Sequence, residues 1–160
     1  LDYDGPAYMR LGRLGVDSVT DSIPGYRFEL GKGAVLRGGS DVTVIACGIM
    51  VQMALEAAEA LQAEGLSVRV IDMHTIKPLD TEAVTAAINE VGKIITVEDH
   101  NILNGLGSAV CEIAAEMGKG LVKRVGIRDQ FGQSAPYERL LAMNGVTVED
   151  IVAIAESMNA

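Results

Sequence analysis

The feature that most constrains this chain is a regular alternation of β-branched apolar runs with helix-period stripes. Val42-Thr43-Val44-Ile45-Ala46 is an unbroken strand-forming run, the pattern of a strand covered on both faces. Met50, Ala54, Leu55, Ala58 and Leu61 then recur at helical spacing up to Gly65, where glycine accepts the left-handed conformation of a helix C-terminus. Val68 to Ile71 opens the next cycle. Its helix is capped by Asp80, striped at Val84, Ala87, Ile88 and Val91, and ended by Gly92. Ile94 to Val97 and a helix striped at Val110, Ile113, Ala114 and Met117 follow, with Gly118 as the stop. Val122 to Ile127 is the last strand.

Two helices close the chain. One lies near Tyr137 to Met143, capped by Ser134 and stopped by Gly145. The other runs from about Val148 to Met158, with Thr147 and Asp150 at capping-box spacing. Strand-helix alternation with short turns implies parallel strands joined by right-handed crossovers. The predicted class is α/β, a three-layer α/β/α arrangement around a mostly parallel sheet of about five strands with one antiparallel edge strand. That edge is expected within Arg27 to Leu36, read as two short strands turning at Gly31-Lys32-Gly33.

Upstream, Tyr8-Met9-Arg10-Leu11 reads as a short strand ended by Gly12, and residues 14–26 lack a sustained period and carry a Pro24-Gly25 turn signal. The expected organisation is therefore a strand of a preceding domain over 1–13, a linker over 14–26 and a compact domain over 27–160. The strand-like start at Leu1 reads as the cut edge of something larger.

Composition narrows the function. Thirteen basic residues against 22 acidic ones give a net charge of -9, which repels phosphate backbones and anionic lipid heads and argues against nucleic-acid or membrane binding. There is no tryptophan, and aromatic residues are only 4%, so stacking platforms are scarce. Cys47 and Cys111 lie among apolar neighbours, too far apart for a metal motif, and read as core thiols of a protein in a reducing cytoplasm.

In an open parallel sheet, ligands gather outside the carboxyl ends of the strands. That edge carries Cys47-Gly48, His74, and Glu98-Asp99-His100. The last three, with His74 nearby, have the residue types of an acid-base cluster. Polar residues also collect there simply to cap turns. Asn104-Gly105-Leu106-Gly107-Ser108 opens a helix with glycines that could bare amides to an anion, yet it is neither a Walker loop nor a full GxGxxG. Arg13, with Arg10 three residues before it, can present a guanidinium fork to a phosphate.

Taken together, several segments resemble the transketolases. Gly5-Pro6-Ala7-Tyr8-Met9-Arg10-Leu11-Gly12-Arg13 is similar to the last strand of their pyrimidine-binding domain. Asp41 to Gly48 (DVTVIACG) and Val70 to Asp80 (VIDMHTIKPLD) resemble the opening of their C-terminal domain. Val97-Glu98-Asp99-His100 with Gly105 to Val110 resembles VEDH…GGLGSAV, Asn104 standing where the family has glycine. Asp129 to Ser134 (DQFGQS), Gly145-Val146-Thr147 and the last helix resemble the family's C-terminal end.

The resemblance implies a thiamine diphosphate enzyme that moves a two-carbon ketol unit between sugar phosphates, as in the pentose phosphate pathway. The flavour of the motifs is that of bacterial transketolases split into two chains, this one being the C-terminal part of the second. It implies a homodimer in the cytoplasm, with upstream thiamine-binding domains or an N-terminal subunit as partner. Thiamine diphosphate and Mg2+ would then be held elsewhere, leaving this piece inactive alone and serving dimer packing and stability. Arg13 maps onto the family's phosphate-binding arginine, with Arg10 a weaker candidate. His74, Glu98, Asp99 and His100 fall to a capping or interface role. Deoxyxylulose-phosphate synthase and the β subunit of 2-oxoacid dehydrogenases share the fold and are near alternatives, the latter with a lipoyl-enzyme partner. A stand-alone anion- or nucleotide-binding module is the alternative of another class.

Overall fold

In the computed structural model, which describes residues 3–13, 15–21 and 23–160, the chain runs β1 (Ala34–Arg37), β2 (Val42–Ala46), α1 (Met50–Ala63), β3 (Val68–Asp72) and α2 (Thr81–Glu90). It continues through β4 (Lys93–Asn101), α3 (Leu106–Met117), β5 (Leu121–Ile127), α4 (Tyr137–Met143) and α5 (Val148–Asn159). The parts of the expected stub and linker that fall on Leu1, Asp2, Leu14 and Ser22 lie outside the described residues.

The strands form one sheet in the order β1-β3-β2-β4-β5. β3, β2, β4 and β5 pair in parallel, and β1 closes one edge antiparallel to β3. The expected three-layer arrangement with one antiparallel edge is what forms.

Strand alternation assigns the two faces. Val42, Val44, Val68, Val70, Ile95 and Val97 pack with α1 and α5 through Ala54, Ala58, Leu61, Ile151 and Ala155. Ile45, Ile71 and Ile94 face the other way and meet α2 and α3 through Val84, Ile88, Leu106 and Val110. All five residues of β2 are buried, as a central strand covered on both sides requires.

The helix signals have physical counterparts. The Asp80 carboxylate accepts from the Ala83 amide at 3.0 Å, and its second oxygen accepts from the Gly33 amide at 2.9 Å, so one cap also anchors the lead-in to β1. Thr147 and Asp150 form the reciprocal capping box. Gly118 adopts φ 64° at the end of α3. Asn104 sits at φ 60°, the left-handed geometry that asparagine tolerates in place of glycine.

Two expectations change. The 27–36 segment yields one strand, beginning at Ala34, rather than two; just before it, the Lys32 amide closes a turn onto the Glu29 carbonyl and the Gly33 amide is taken by the Asp80 carboxylate. Ser134 does not cap α4; its N-cap is Pro136, with no side-chain cap bond. Residues 8–11 join no ladder, and Tyr8, Met9 and Leu11 are 92%, 69% and 79% exposed, because the sheet of this chain offers them no partner.

The expected linker lies against the domain. The Tyr26 amide donates to the Ile23 carbonyl at 3.1 Å across Pro24-Gly25, with Gly25 at φ 73°, the positive φ that the third position of a type II turn demands. Val19 packs on the core beside α1 and α5, and Gln52 of α1 donates to Asp17 at 3.3 Å.

Candidate functional site

The chain leaves β2 for α1 and β3, then crosses back to place β4 on the other side of β2. The point of reversal, between the carboxyl ends of β2 and β4, is where a doubly wound sheet opens a crevice for ligand. Here the amides of the helix start beside it are already taken by the chain's own Glu98.

Glu98, the β4 residue just past the last one paired with β2, is 2% exposed. Its two carboxylate oxygens accept from the Leu106 and Gly107 amides, each at 2.8 Å. A buried carboxylate at a helix N-terminus satisfies orphan amides and faces the positive end of the helix dipole. The glycines that open α3 are thus explained by packing. A β-carbon on Gly105 would lie 2.0 Å from Glu98 Oε2, and one on Gly107 would lie 2.7 Å from Thr96 Oγ1 and 2.8 Å from Arg124 Cδ. The anion at this helix start is the chain's own.

Asp99 turns the other way. Arg10 donates to its carbonyl oxygen at 2.7 Å and stands 3.8 Å from its carboxylate, while the Tyr137 hydroxyl donates to the same carboxylate oxygen at 3.2 Å. Burial first, and then the neighbouring Asp99 charge, push the Tyr137 hydroxyl up to about 12, so it remains a donor at any ordinary pH.

His100 is exposed; its Nδ1 lies 2.8 Å from the Asn101 carbonyl, which can only accept, so that nitrogen carries the proton. His74 is half-buried beneath Phe28, ring centroids 4.6 Å apart. Its Nδ1 pairs with the Thr75 hydroxyl at 2.8 Å, and its Nε2 is buried with no partner among the described residues. Among the described residues, no hydrogen bond or ion pair joins any two of His74, Glu98, Asp99 and His100. The acid-base cluster that residue types alone nominate is not assembled, because successive residues of an extended strand point apart.

Half-buried Cys47 feels the Glu98, Asp72 and Asp99 carboxylates, partly offset by the Arg10 guanidinium. Burial, followed by the Glu98 and Asp72 carboxylates, drives its thiol up to about 12. Burial also raises Asp72, with His74 pulling it partly back.

Arg13 is exposed and makes no hydrogen bond or ion pair with another described residue. Arg10 and Arg13 therefore do not form a shared fork: one guanidinium is held by the domain, and the other has no partner among the described residues. Sequence reading passed over Tyr137 and Arg124. The second donates to the Ile102 carbonyl at 2.8 Å and holds the loop before α3. Neither carries a motif; a tyrosine opening a helix is the one cue that its hydroxyl wants a partner.

The family described as transketolase, C-terminal domain, matches residues 31–151. The 6-deoxy-6-sulfo-D-fructose transketolase subunit SqwH of Clostridium sp. is 40% identical over 99% of this chain and 48% of its own length. The 1-deoxy-D-xylulose-5-phosphate synthase of Heliobacterium modesticaldum is 37% identical over 99% of this chain but 25% of its own. A solved split gene transketolase, described as an inactive beta4 tetramer, superposes with a TM-score of 0.90 at 44% identity, over 98% of this chain and 51% of that one. The chain thus spans about half the length of its split relatives, and it belongs to the transketolase C-terminal domain family.

Proposed function

We propose that this chain is the C-terminal domain, with the end of the preceding domain, of a split transketolase that moves a two-carbon ketol unit between sugars bearing a terminal anion. The carrying observation is the free Arg13 guanidinium on a segment whose apolar side chains are uncovered. Residues 8–11 expose Tyr8, Met9 and Leu11, the surface of an element that packs on something beyond this chain. Residues 1–13 are read as the last strand of a pyrimidine-binding domain, 14–26 as the connection and 27–160 as the C-terminal domain.

Arg13 holds the anionic end of the sugar. The names of the relatives include both a sulfonated and a phosphorylated sugar, and a guanidinium suits either group. The rest of the domain contributes to packing and stability of a cytoplasmic homodimer, joined to an N-terminal thiamine-binding partner.

The transketolase family depends on thiamine diphosphate. The described residues offer no evident seat for its pyrophosphate and Mg2+. Among the described residues, no three His, Cys, Asp or Glu side chains gather to hold a metal ion, and the glycine-led start of α3 has its amides on Glu98. The same filled helix start weighs against a free-standing anion-binding module.

Arg13→Ala in the complete enzyme should raise the KM for phosphorylated sugars by roughly tenfold or more, the loss of a charge-assisted contact. An unchanged KM would overturn the assignment. Calorimetry of this chain alone should detect no Mg2+-dependent uptake of thiamine diphosphate.

A further inference from the structure

The contact between Arg10 and Asp99 joins residues 89 apart in sequence, and it is where the upstream segment touches the end of β4. One guanidinium reaches both polar groups of Asp99, the carbonyl at 2.7 Å and the carboxylate at 3.8 Å. The same Asp99 carboxylate oxygen also accepts from the Tyr137 hydroxyl at 3.2 Å, delivered by the first turn of α4. Two elements, β4 and α4, thus meet at the Asp99 carboxylate, which in turn faces an arginine of the segment that carries Arg13.

We propose that Asp99 and Tyr137 form a clamp on Arg10 that positions Arg13 for the anionic end of the sugar, making all three positioning residues for substrate binding. The inference rests on the reading of Arg13 as the anion contact. Three residues of chain reach at most about 11 Å, so pinning Arg10 restricts where the Arg13 guanidinium can go. Without the pin, the free arginine would give up more conformational entropy on meeting its ligand. The clamp also gives the carboxyl edge of this sheet a task other than binding ligand directly: it is the seat for the segment that does.

An arginine that acts through Arg13 has a signature that a second anion contact lacks. In the complete enzyme, Arg10→Ala and Tyr137→Phe should each raise the KM for a phosphorylated acceptor by about threefold to tenfold, with no matching rise for an acceptor aldehyde lacking the phosphate. Arg10→Lys should recover part of the loss, since an ammonium can still reach the Asp99 carbonyl but not both groups. Adding Arg10→Ala to Arg13→Ala should raise KM no further than Arg13→Ala alone.

Additive effects of the two arginines would overturn the clamp, because Arg10 would then be touching the anion itself. So would a normal KM in both Arg10→Ala and Tyr137→Phe alongside a raised one in Arg13→Ala, an outcome that leaves the Arg13 assignment standing. If Arg13→Ala itself has a normal KM, the anion assignment falls and takes the clamp with it. Tyr137→Phe removes a single oxygen, so it reports on the clamp even if Arg10→Ala perturbs folding.

Discussion

The Glu98 carboxylate and the Leu106 amide meet at 2.8 Å in the interior of the protein, and this one bond, with its twin to Gly107, decides what the glycines at the start of α3 are for. A bare helix N-terminus in a doubly wound sheet is a ready anion site. Here the anion is supplied from β4, eight residues earlier in the chain, so the end of the strand and the beginning of the helix are tied before any ligand arrives.

Glu98→Ala should therefore destabilise the chain by roughly 3 kcal/mol, since two buried amides lose a charged acceptor. Glu98→Gln should recover only part of that, because its nitrogen is a donor and cannot receive the second N–H. The midpoint of urea unfolding measures both. A change within scatter for Glu98→Ala would mean that water replaces the carboxylate without cost.

Gly105→Ala tests the same tie from the other side. Gly105 has φ -103° and ψ -157°, a backbone open to any residue, so the cost of alanine comes from contact alone: its β-carbon would stand 2.0 Å from Glu98 Oε2. The substitution should be strongly destabilising in the parent and nearly silent once Glu98 is alanine. A double-mutant cycle should return a coupling of about 1–3 kcal/mol. Simple additivity would locate the strain elsewhere.

What could be read from the sequence divides along physical lines. Strand runs, helix stripes and glycine stops are local and periodic, so β2, α1, β3, α2 and α3 stand in the sequence almost as they stand in the structure. Even the antiparallel edge was legible, though Arg27 to Gly33 was not separable from Ala34–Arg37, because the group that takes the Gly33 amide is the Asp80 carboxylate, 47 residues away. The site was harder for the same reason. Residue types placed Glu98, Asp99 and His100 together, but whether a side chain faces a helix amide, an arginine or solvent depends on which element lies across from it. Arg10 and Asp99 carry no signal of each other at a separation of 89 residues, and Tyr137 enters only through the placement of α4.

Asp72 gives a pH test. Burial raises its pKa above the ordinary aspartate value, so over the window between the two values the folded state binds more protons than the unfolded one. Stability then falls as pH rises through that window, and the penalty is complete above the folded value. Asp72→Asn, which cannot ionise, should unfold at a higher temperature than the parent at neutral pH. The advantage should shrink as pH falls toward the ordinary value of about 3.9. An advantage that does not depend on pH would trace the gain to packing rather than to charge.

Cys47 turns the same environment into a reactivity test. Thiols attack as thiolates, and burial together with the Glu98 and Asp72 carboxylates holds this one near 12. At pH 8 the folded protein should then present only about one part in ten thousand as thiolate, against roughly a quarter for a thiol at the ordinary value of about 8.5. In a Cys111→Ser variant, where Cys47 is the remaining thiol, a chromogenic disulfide should react slowly with the native chain and rapidly in urea. The rate should climb in step with the unfolded fraction. Glu98→Gln removes the carboxylate that acts most strongly on the sulfur, so at pH values where the protein stays folded it should speed labelling beyond what its lowered stability accounts for. Native labelling as fast as that of a free thiol would show that the crevice between β2 and β4 stands open, and the closure ascribed to Glu98 would have to be withdrawn.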